Sequence, residues 1–508
     1  MTLGAQPTII FVWYFWQLMP IQDTIFFIIF PFIFFLGIIL LIICSTLVAK
    51  FFLIFANLFH KPREGTFLRD KKDKDYCYWS LRAVIRKWPT WLARQLSLPF
   101  LELFVAKVLG LKTSYSSCLN EGWADCEFIE CGKNVKLGQG SIIMSNILIK
   151  DKLIIKKVSI GDNVIIGAHS VILPGTVIGA NTIVDSITMT TINQQLKSDC
   201  LYSGQPATRV SSSQLDFEKN GIENSIFQRE DMKSYDPEDL RTHEKELTVP
   251  FHKYVLSGFF IIGASFILPG FLFILYFYGF LVPNVFSLNF SFELILTYEI
   301  LFYILLTPII FIGIYLLHLF FVALFTRWFY RYVDKRGPSQ GVFDRNLDVT
   351  TTALDYYHFR SFLLKYPVFA VIRSPFPWLI NWELRFIGSN KIGKGTVIEE
   401  CYLHGHIDYG KNCYVGTFSH ISNHLVDGVY GSENLTYWGA KTGDNTVYNA
   451  LIGGMPGLEV GKNTTLLPLC TTIKFDKLGD NGIYAGFPAK NLKEEEIKKI
   501  TGGVYHEE

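Results

Sequence analysis

Charged residues are scarce in this chain of 508 residues. Asp, Glu, Lys and Arg make up 18% of it, whereas soluble proteins usually contain about 25%. The deficit is local, because several windows contain almost no charge while half of all residues are hydrophobic. The net charge is only +2, and the clearest basic cluster adjoins a hydrophobic segment. The sequence therefore argues against a nucleic-acid partner.

Paired cysteine motifs are also missing. The chain has nine cysteines, an odd number, and no Cys-x-x-Cys pair. This pattern argues against both a zinc ribbon and a disulfide framework. We expect the soluble parts of the protein to face a reducing compartment such as the cytosol.

Three windows are long and apolar enough to cross a hydrocarbon layer of about 30 Å. They cover residues 24–57, 254–281 and 295–326. A fourth window, residues 2–19, is uncharged but short, so it remains open whether it crosses. This fourth window has no basic region and no small-residue cleavage site, which argues against a secretory signal.

Positive charge is distributed unevenly around these windows. Lys and Arg are abundant in residues 61–87 and 327–336, whereas residues 282–291 contain neither. Positively charged loops remain on the cytosolic side of a membrane. We therefore predict a multi-pass protein in a lipid bilayer, with both soluble regions in the cytosol.

An aliphatic residue recurs every six positions from Ile142 to Val184. The intervening members are Leu148, Ile154, Ile160, Ile166, Ile172 and Ile178. A period of six fits neither a helix nor a single strand, but it is typical of stacked β-solenoid coils. Residues 160–167 resemble the left-handed parallel β-helix of hexapeptide-repeat transferases, and residues 202–207 resemble the Gly-x-Pro-Ala segment that closes that coil.

Matching segments recur in order in the second half of the chain, for example residues 65–69 with 341–345 and residues 202–207 with 484–489. We interpret this as an internal duplication, in which each unit has a helical pair, a basic juxtamembrane segment and a β-helix. The predicted fold class is an integral membrane α + β protein with two left-handed parallel β-helix domains. The predicted segments are 1–58 (first transmembrane pair), 59–118 (basic), 119–210 (degenerate first β-helix), 211–250 (charged linker), 251–328 (second pair), 329–385 (basic), 386–492 (catalytic candidate β-helix) and 493–508 (C-terminal helix).

This arrangement resembles the membrane-embedded C-terminal region of ε-poly-lysine-synthetase-type enzymes. The resemblance implies acyl or aminoacyl transfer from a pantetheine thioester, carried by CoA or phosphopantetheine, to an amine or hydroxyl acceptor. No adenylation or carrier segment is present, so we expect a separate molecule, CoA or a carrier protein, to supply the donor. A homodimer is left open. The residues implied to contact the pantetheine arm are Tyr484, Gly486, Phe487, Pro488, Ala489 and Lys490.

The duplication also points to candidate catalytic residues. Alignment of residues 129–146 with 407–424 places histidines in the second half where the first half has Cys126, Phe128, Ile142 and Asn146. His424 begins a His-Leu-Val-Asp segment that resembles the family's base motif, and neutral histidine suits a general base. The candidate catalytic residues are His404, His406, His420, His424 and Asp427, and no metal is expected.

Two other functions remain open at this point. The four histidines could supply three zinc ligands for a carbonic-anhydrase-like β-helix enzyme. Alternatively, the β-helices could be a non-enzymatic scaffold at the membrane, because the first one has none of these histidines. The Gly-Pro turn near residue 486 could likewise do no more than end the coil.

Overall fold

The computed structural model describes residues 1–19, 24–96, 98–119, 122–210, 251–337, 340–344, 352–427 and 434–505. The predicted charged linker, residues 211–250, lies outside these ranges. The helices are α1 (Thr2–Leu18), α2 (Thr24–Phe59), α3 (Lys74–Gln95), α4 (Pro99–Leu109), α5 (Phe251–Tyr276), α6 (Phe292–Ile295), α7 (Tyr298–Asp334), α8 (Thr352–Ile372), α9 (Ile380–Ile387) and α10 (Glu494–Ile500), with a π-helix at Phe277–Phe286 and a 3-10 turn at Pro377–Leu379.

Three helical segments are long and apolar enough to cross a membrane: Ile25–Phe59, His252–Phe286 and Tyr298–Asp334. Each ends later than the window predicted from the sequence: the first two continue through further uncharged residues, whereas the third continues past Arg327 and Arg331. Helix α1 has 17 residues, and its Trp13 is fully buried in a cluster with Val285 and Ile300. This packing joins the first hydrophobic segment to the second helical group.

The first half contains strands β1 (Gly65–Leu68), β2 (Trp123–Ala124), β3 (Ile129–Cys131), β4 (Lys136–Leu137), β5 (Ile142–Ile143), β6 (Asn146–Ile149), β7 (Lys152–Ile155), β8 (Val158–Ile160), β9 (Ile165–Ile166), β10 (Val171–Ile172), β11 (Val177–Ile178), β12 (Ile183–Val184), β13 (Gln195–Leu196), β14 (Leu201–Ser203) and β15 (Thr208–Arg209). The second half contains β16 (Gly341–Asp344), β17 (Lys391–Ile392), β18 (Val397–Ile398), β19 (Tyr402–Leu403), β20 (Ile407–Tyr409), β21 (Tyr414–Val415), β22 (His420–Ile421), β23 (His424–Asp427), β24 (Asn434–Tyr437), β25 (Ala440–Thr442), β26 (Val447–Tyr448), β27 (Gly453–Gly454), β28 (Glu459–Val460), β29 (Thr465–Leu466), β30 (Lys477–Leu478), β31 (Ile483–Ala485) and β32 (Lys490–Asn491).

The short strands stack in parallel with a repeat of three hexads. Ile160 pairs with Ile178, and Ile178 pairs with Leu196, so successive partners are separated by one coil of the chain. The inward residue of each strand is buried, as with Ile166 and Val184. The hexapeptide repeat therefore forms three parallel sheets around an aliphatic interior, as its period predicts, while the hand of the coil stays a prediction.

One part of the predicted repeat is wrong. Leu148 and Ile154 lie in an antiparallel hairpin, β6–β7, rather than in the coil. Strand β1 adds to the edge of this hairpin. In the second half, β23, β24 and β16 form the same arrangement. The aliphatic period continues through the hairpin because both of its faces are buried: Leu148 packs in one apolar cluster and Ile154 in another.

The two stacks pack directly against each other. Ile142, Val171 and Met189 of the first stack share a buried cluster with Leu467 and Ile483 of the second. Polar contacts cross the same boundary, including Asn449 Nδ2 to the Leu148 carbonyl oxygen at 3.1 Å. One outward sheet face of the first stack is therefore covered by the second stack.

Candidate active site

Three of the four predicted histidines converge at the start of the second hairpin. The ring centroid of His424 lies 4.9 Å from that of His404 and 4.9 Å from that of Tyr357. The Nε2 atoms of His404 and His420 are 2.8 Å apart. His420 is carried by strand β22, next to the strand that precedes His404. The stacking of the coils thus brings together histidines that are about one coil apart in the sequence.

A neighbouring amide fixes the tautomer of His424. Asn423 Nδ2 donates to the Gly405 carbonyl oxygen at 2.8 Å, which directs its Oδ1 toward His424 Nδ1 at 3.0 Å. An amide oxygen can only accept a hydrogen bond, so Nδ1 must carry the proton. The lone pair of His424 therefore lies on Nε2, where a general base needs it.

The surroundings of the cluster keep its rings uncharged. Burial, together with His420 and His358, lowers the pKa of His424 to about 4. Burial and the neighbouring rings lower the pKa of His404 to about 3, and burial also lowers the pKa of His420. Since each of these rings loses its proton more readily than a free histidine, the cluster can accept a proton at neutral pH.

His406 does not belong to this cluster. Its Nε2 lies 2.9 Å from Asp334 Oδ1 at the end of α7, and Asp334 also pairs with the buried Arg360 at 3.0 Å. The ring beside His424 is that of His404, so the structure does not place the candidate His406 within reach of the other three. His406 instead joins the β-helix to the end of α7.

The zinc alternative needs three ring nitrogens around one point. His406 is directed toward Asp334 and away from the other histidines. Across the part of the chain that the structure describes, no group of three His, Cys, Asp or Glu side chains is placed to hold a metal ion. The geometry therefore does not favour this alternative.

Helix α8 supplies site residues that the sequence analysis missed. Tyr357 packs edge to face on His424, and the positive charge of Lys365 contributes to the lowered pKa of both His404 and His424. The sequence could have indicated this helix as the counterpart of α3, because Lys365-Tyr366-Pro367 matches Lys87-Trp88-Pro89. The backbone of Asp427 ends strand β23, but its side chain lies outside the described part of the structure.

The closing turn has one buried and several exposed candidates. Tyr484 is 7% exposed, and its hydroxyl accepts a hydrogen bond from the Gly479 amide at 2.9 Å. This burial does not favour the predicted pantetheine contact at Tyr484, because the side chain closes the coil interior. Phe487 is 72% exposed, Pro488 and Lys490 are exposed, and Gly486 and Ala489 are half-buried.

An outward track connects this turn to the histidines. Along one sheet, His420 pairs with Gly453, Gly453 bridges to Thr471, and the Thr471 amide donates to the Gly486 carbonyl oxygen at 3.0 Å. Three strand spacings of about 4.8 Å make this path about 14 Å long. Only glycine and threonine occupy it between His420 and the turn, so the track is shallow and open.

The first half differs at the corresponding positions. Its outward residues on this sheet are Ile142, Val171 and Met189, and all three are buried against the second stack. Strands β2 and β19 occupy the same place in the register, since Trp123 pairs with Ile142 and Tyr402 pairs with His420. The residue two positions after Trp123 is Asp125, so Asp125 rather than Cys126 corresponds to His404.

Family comparison gives a match over part of the chain. Residues 157–186 match the family model described as bacterial transferase hexapeptide (six repeats). No curated protein matches this chain. The match covers coils of the first stack and agrees with the 18-residue spacing of its strand pairs.

Among solved structures, the chain is similar to three transferases over short segments. A maltose O-acetyltransferase from Clostridium difficile 630 is 20% identical, with 26% of this chain and 87% of that chain covered at a TM-score of 0.21. A hexapeptide-repeat acetyltransferase from Vibrio cholerae O1 biovar eltor, complexed with acetyl coenzyme A, is 20% identical, with 28% and 91% covered at 0.21. An N-acyltransferase from Bacillus cereus, in complex with dTDP and 3-hydroxybutyryl-CoA, is 18% identical, with 20% and 72% covered at 0.15. At these identities and scores, we draw no assignment of activity from the three structures.

Proposed function

We propose that this protein is a membrane-bound acyltransferase. It moves an acyl or aminoacyl group from a pantetheine thioester, carried by CoA or a carrier protein, to an amine or hydroxyl acceptor. The observation that carries this proposal is the open track from the closing turn at Gly486 to the three converging histidines. The track gives an extended thioester arm a route to a neutral base.

The chemistry follows from the tautomer of His424. Its Nε2 removes a proton from the acceptor amine or hydroxyl as the acceptor attacks the thioester carbonyl carbon. The C–S bond then breaks, and the imidazolium returns the proton to the leaving thiolate. The products are an amide or ester and a free pantetheine thiol. The uncharged rings of His404 and His420 flank this base and would lie beside the bound acceptor.

Several features support the proposal. Residues 157–186 match a family model described as bacterial transferase hexapeptide, which supports a transferase. Phe487 and Lys490 are accessible at the closing turn, where an apolar arm and its phosphate could bind. The first half has no comparable track, because the second stack covers it. We accordingly assign the transfer step to the second half alone.

The direct test is release of free thiol from CoA thioesters. Purified full-length protein would be incubated with acyl-CoA donors and with amphiphilic primary amines or alcohols, and the thiol measured with a dithiodipyridine reagent. With alcohol acceptors, which stay uncharged over this range, we expect a constant rate from about pH 8 to pH 5, because the pKa of His424 is lowered to about 4 and its neutral form is the base. With amine acceptors the rate also follows the fraction of free amine, so the pH dependence is measured with the alcohols. Below about pH 4 the rate should fall as the ring is protonated.

The same assay can contradict the proposal. Thiol release that never exceeds the blank, with CoA donors or with phosphopantetheine carrier donors, would remove the acyltransferase assignment. A decline centred near the ordinary histidine pKa of about 6.5 would mean that the base is solvated rather than buried. Mass spectrometry of the product would distinguish amide from ester formation.

We further propose that both soluble halves face the cytosol. Three helices suit membrane crossing, and the basic flanks of the hydrophobic windows should stay on the inner side. Cys118 is an exposed thiol of the first half. In intact cells a membrane-impermeant maleimide should not label it, and labelling should appear after the inner face is opened. A Cys118→Ser variant corrects for other thiols, and labelling of intact cells would reverse the topology.

The shared order of elements supports a duplicated origin for the two halves. Each half places an upstream strand on the edge of an inserted hairpin, and each ends on an X-Pro turn after a buried tyrosine. We propose that both coils are left-handed and that each unit includes a helical pair.

A further inference from the structure

A large cavity lies away from the histidine cluster, at the boundary between the two halves. It has a volume of about 560 Å³, which is within the usual range for small-molecule sites. Three indoles, Trp79, Trp91 and Trp123, line it together with residues of the second half such as Tyr414 and Arg373. We call this space the tryptophan cavity.

The tryptophan cavity occupies the place in the first half that the histidine site occupies in the second. Helix α3 borders it as α8 borders the histidines, and Asn146 begins hairpin strand β6 as His424 begins β23. The corresponding pairs are Trp79 with Tyr357, Trp91 with Phe369, Trp123 with Tyr402, Asp125 with His404, and Asn146 with His424. At the place where the second half has its histidines, the first half therefore has an open volume and no histidine.

Charge in the cavity is almost fully paired. Arg86 bonds Glu127, Lys87 pairs with Glu399 at 3.2 Å, and Arg373 pairs with Glu400 at 3.1 Å. The remaining cation is Arg94. In the described ranges it makes no ion pair, and its guanidinium lies 4.4 Å from the centre of the Trp123 ring.

The remaining acidic side chain makes its hydrogen bonds with groups other than Arg94. Asp125 Oδ2 accepts from Asn146 Nδ2 at 2.7 Å and from both the amide and the hydroxyl of Ser145. Burial raises the pKa of Asp125 to about 6, so the carboxylate is still mostly ionised at neutral pH and is held by these donors. The cavity thus presents one unpaired guanidinium beside flat apolar surfaces, which favours an anionic group on an apolar body.

A second, smaller cavity adjoins the first and leads to the membrane helix α2. The two cavities share Arg86, Cys126, Glu127 and Phe128 as lining residues. The smaller one is also lined by residues near the end of α2, including Lys50, Leu53 and Ile54. In the direction of the first closing turn, in contrast, the tryptophan cavity is closed by buried residues at the interface between the two stacks.

We propose that the tryptophan cavity binds a phosphate-bearing amphiphile from the bilayer, with its anionic group on Arg94 and its apolar part against Trp91 and Trp79. Since the face toward the first closing turn is covered, this site binds its ligand without transferring a group to it. The inference does not depend on acyl transfer in the second half.

The test uses full-length protein in a neutral polyoxyethylene detergent, which has no head group in common with the probes, and follows ligand binding by native mass spectrometry. The probes are n-decyl phosphate, inorganic phosphate and the uncharged n-decyl maltoside. We expect decyl phosphate to bind once per chain and at least about tenfold more tightly than inorganic phosphate, because the apolar part adds burial. Arg94→Gln should weaken decyl phosphate at least about tenfold, and Arg94→Lys should restore part of the affinity.

The matched control is Lys112→Gln, which removes an exposed cation from the same stack and should leave binding unchanged. Thermal melting of each variant checks the fold. Equal binding by parent and Arg94→Gln would overturn the proposal. If inorganic phosphate binds as tightly as decyl phosphate, the ligand is a free anion and the proposal is overturned. If decyl maltoside binds as tightly as decyl phosphate, the anionic group is not recognised, which also overturns the proposal.

Discussion

Replacement of His424 by Gln is expected to lower acyl transfer by about 100- to 10,000-fold, the usual contribution of a positioned general base. Glutamine has similar bulk and can still bond to Asn423, but it cannot accept a proton at neutral pH. The loss should appear in kcat, because the donor track leading to the closing turn is unchanged. Thiol release at saturating donor measures this directly.

His169→Gln is the matched control for this prediction. His169 is exposed on the first stack, so its replacement should leave the rate unchanged. Unchanged turnover of His424→Gln with every donor that the parent accepts would remove the catalytic assignment. One tightly bound zinc per chain, lost in the same variant, would instead assign the histidines to a metal site.

Gly453→Val is expected to raise KM for the thioester donor and so lower kcat/KM by about 100-fold, the scale of a steric cost of up to about 3 kcal/mol for an added side chain. Gly453 lies outward between His420 and Thr471, and an added Cβ would lie 2.7 Å from Thr471 Cγ2. The valine therefore narrows the track. It also gives the second stack the same residue type that the first stack has at the corresponding position, Val171. Steady-state kinetics with varied donor concentration separates this effect, carried by KM, from loss of the base.

Lys441→Val provides the comparison, since Lys441 is exposed on another sheet of the same stack. It adds the same side chain to a parallel strand without entering the track. Wild-type donor kinetics in Gly453→Val, with the thermal melt preserved, would show that the thioester reaches the histidines by another route.

The coil could be predicted from sequence because its signal is local and repeated. Ile160, Ile166 and Ile178 each fill the same interior at a fixed period, and the pairing follows from that period. The hairpin at Leu148 and Ile154 was not predicted, because both of its faces are buried and aliphatic residues therefore occur at the same spacing in a different geometry. Periodicity identifies buried positions, but it does not distinguish between two ways of burying them.

The site was only partly predictable for a related reason. His404, His420 and His424 lie within about one coil, so alignment of the two halves was enough to group them. The partner of His406, in contrast, is Asp334 on a membrane-associated helix far along the chain. Tyr357 was missed because it comes from helix α8, and contacts between helix and coil leave no period in the sequence.

In the membrane arrangement that we propose, the contact between Asp334 and His406 sets the distance of the candidate site from the bilayer. The apolar part of α7 ends near Thr326, and the eight residues to Asp334 add about 12 Å of helix. The headgroup layer is only about 5–8 Å thick on each side, so this helical spacer would hold the histidines just outside it. An acceptor anchored in the bilayer would then need its amine or hydroxyl to extend a few ångströms beyond the headgroups, while its chain stays in the membrane.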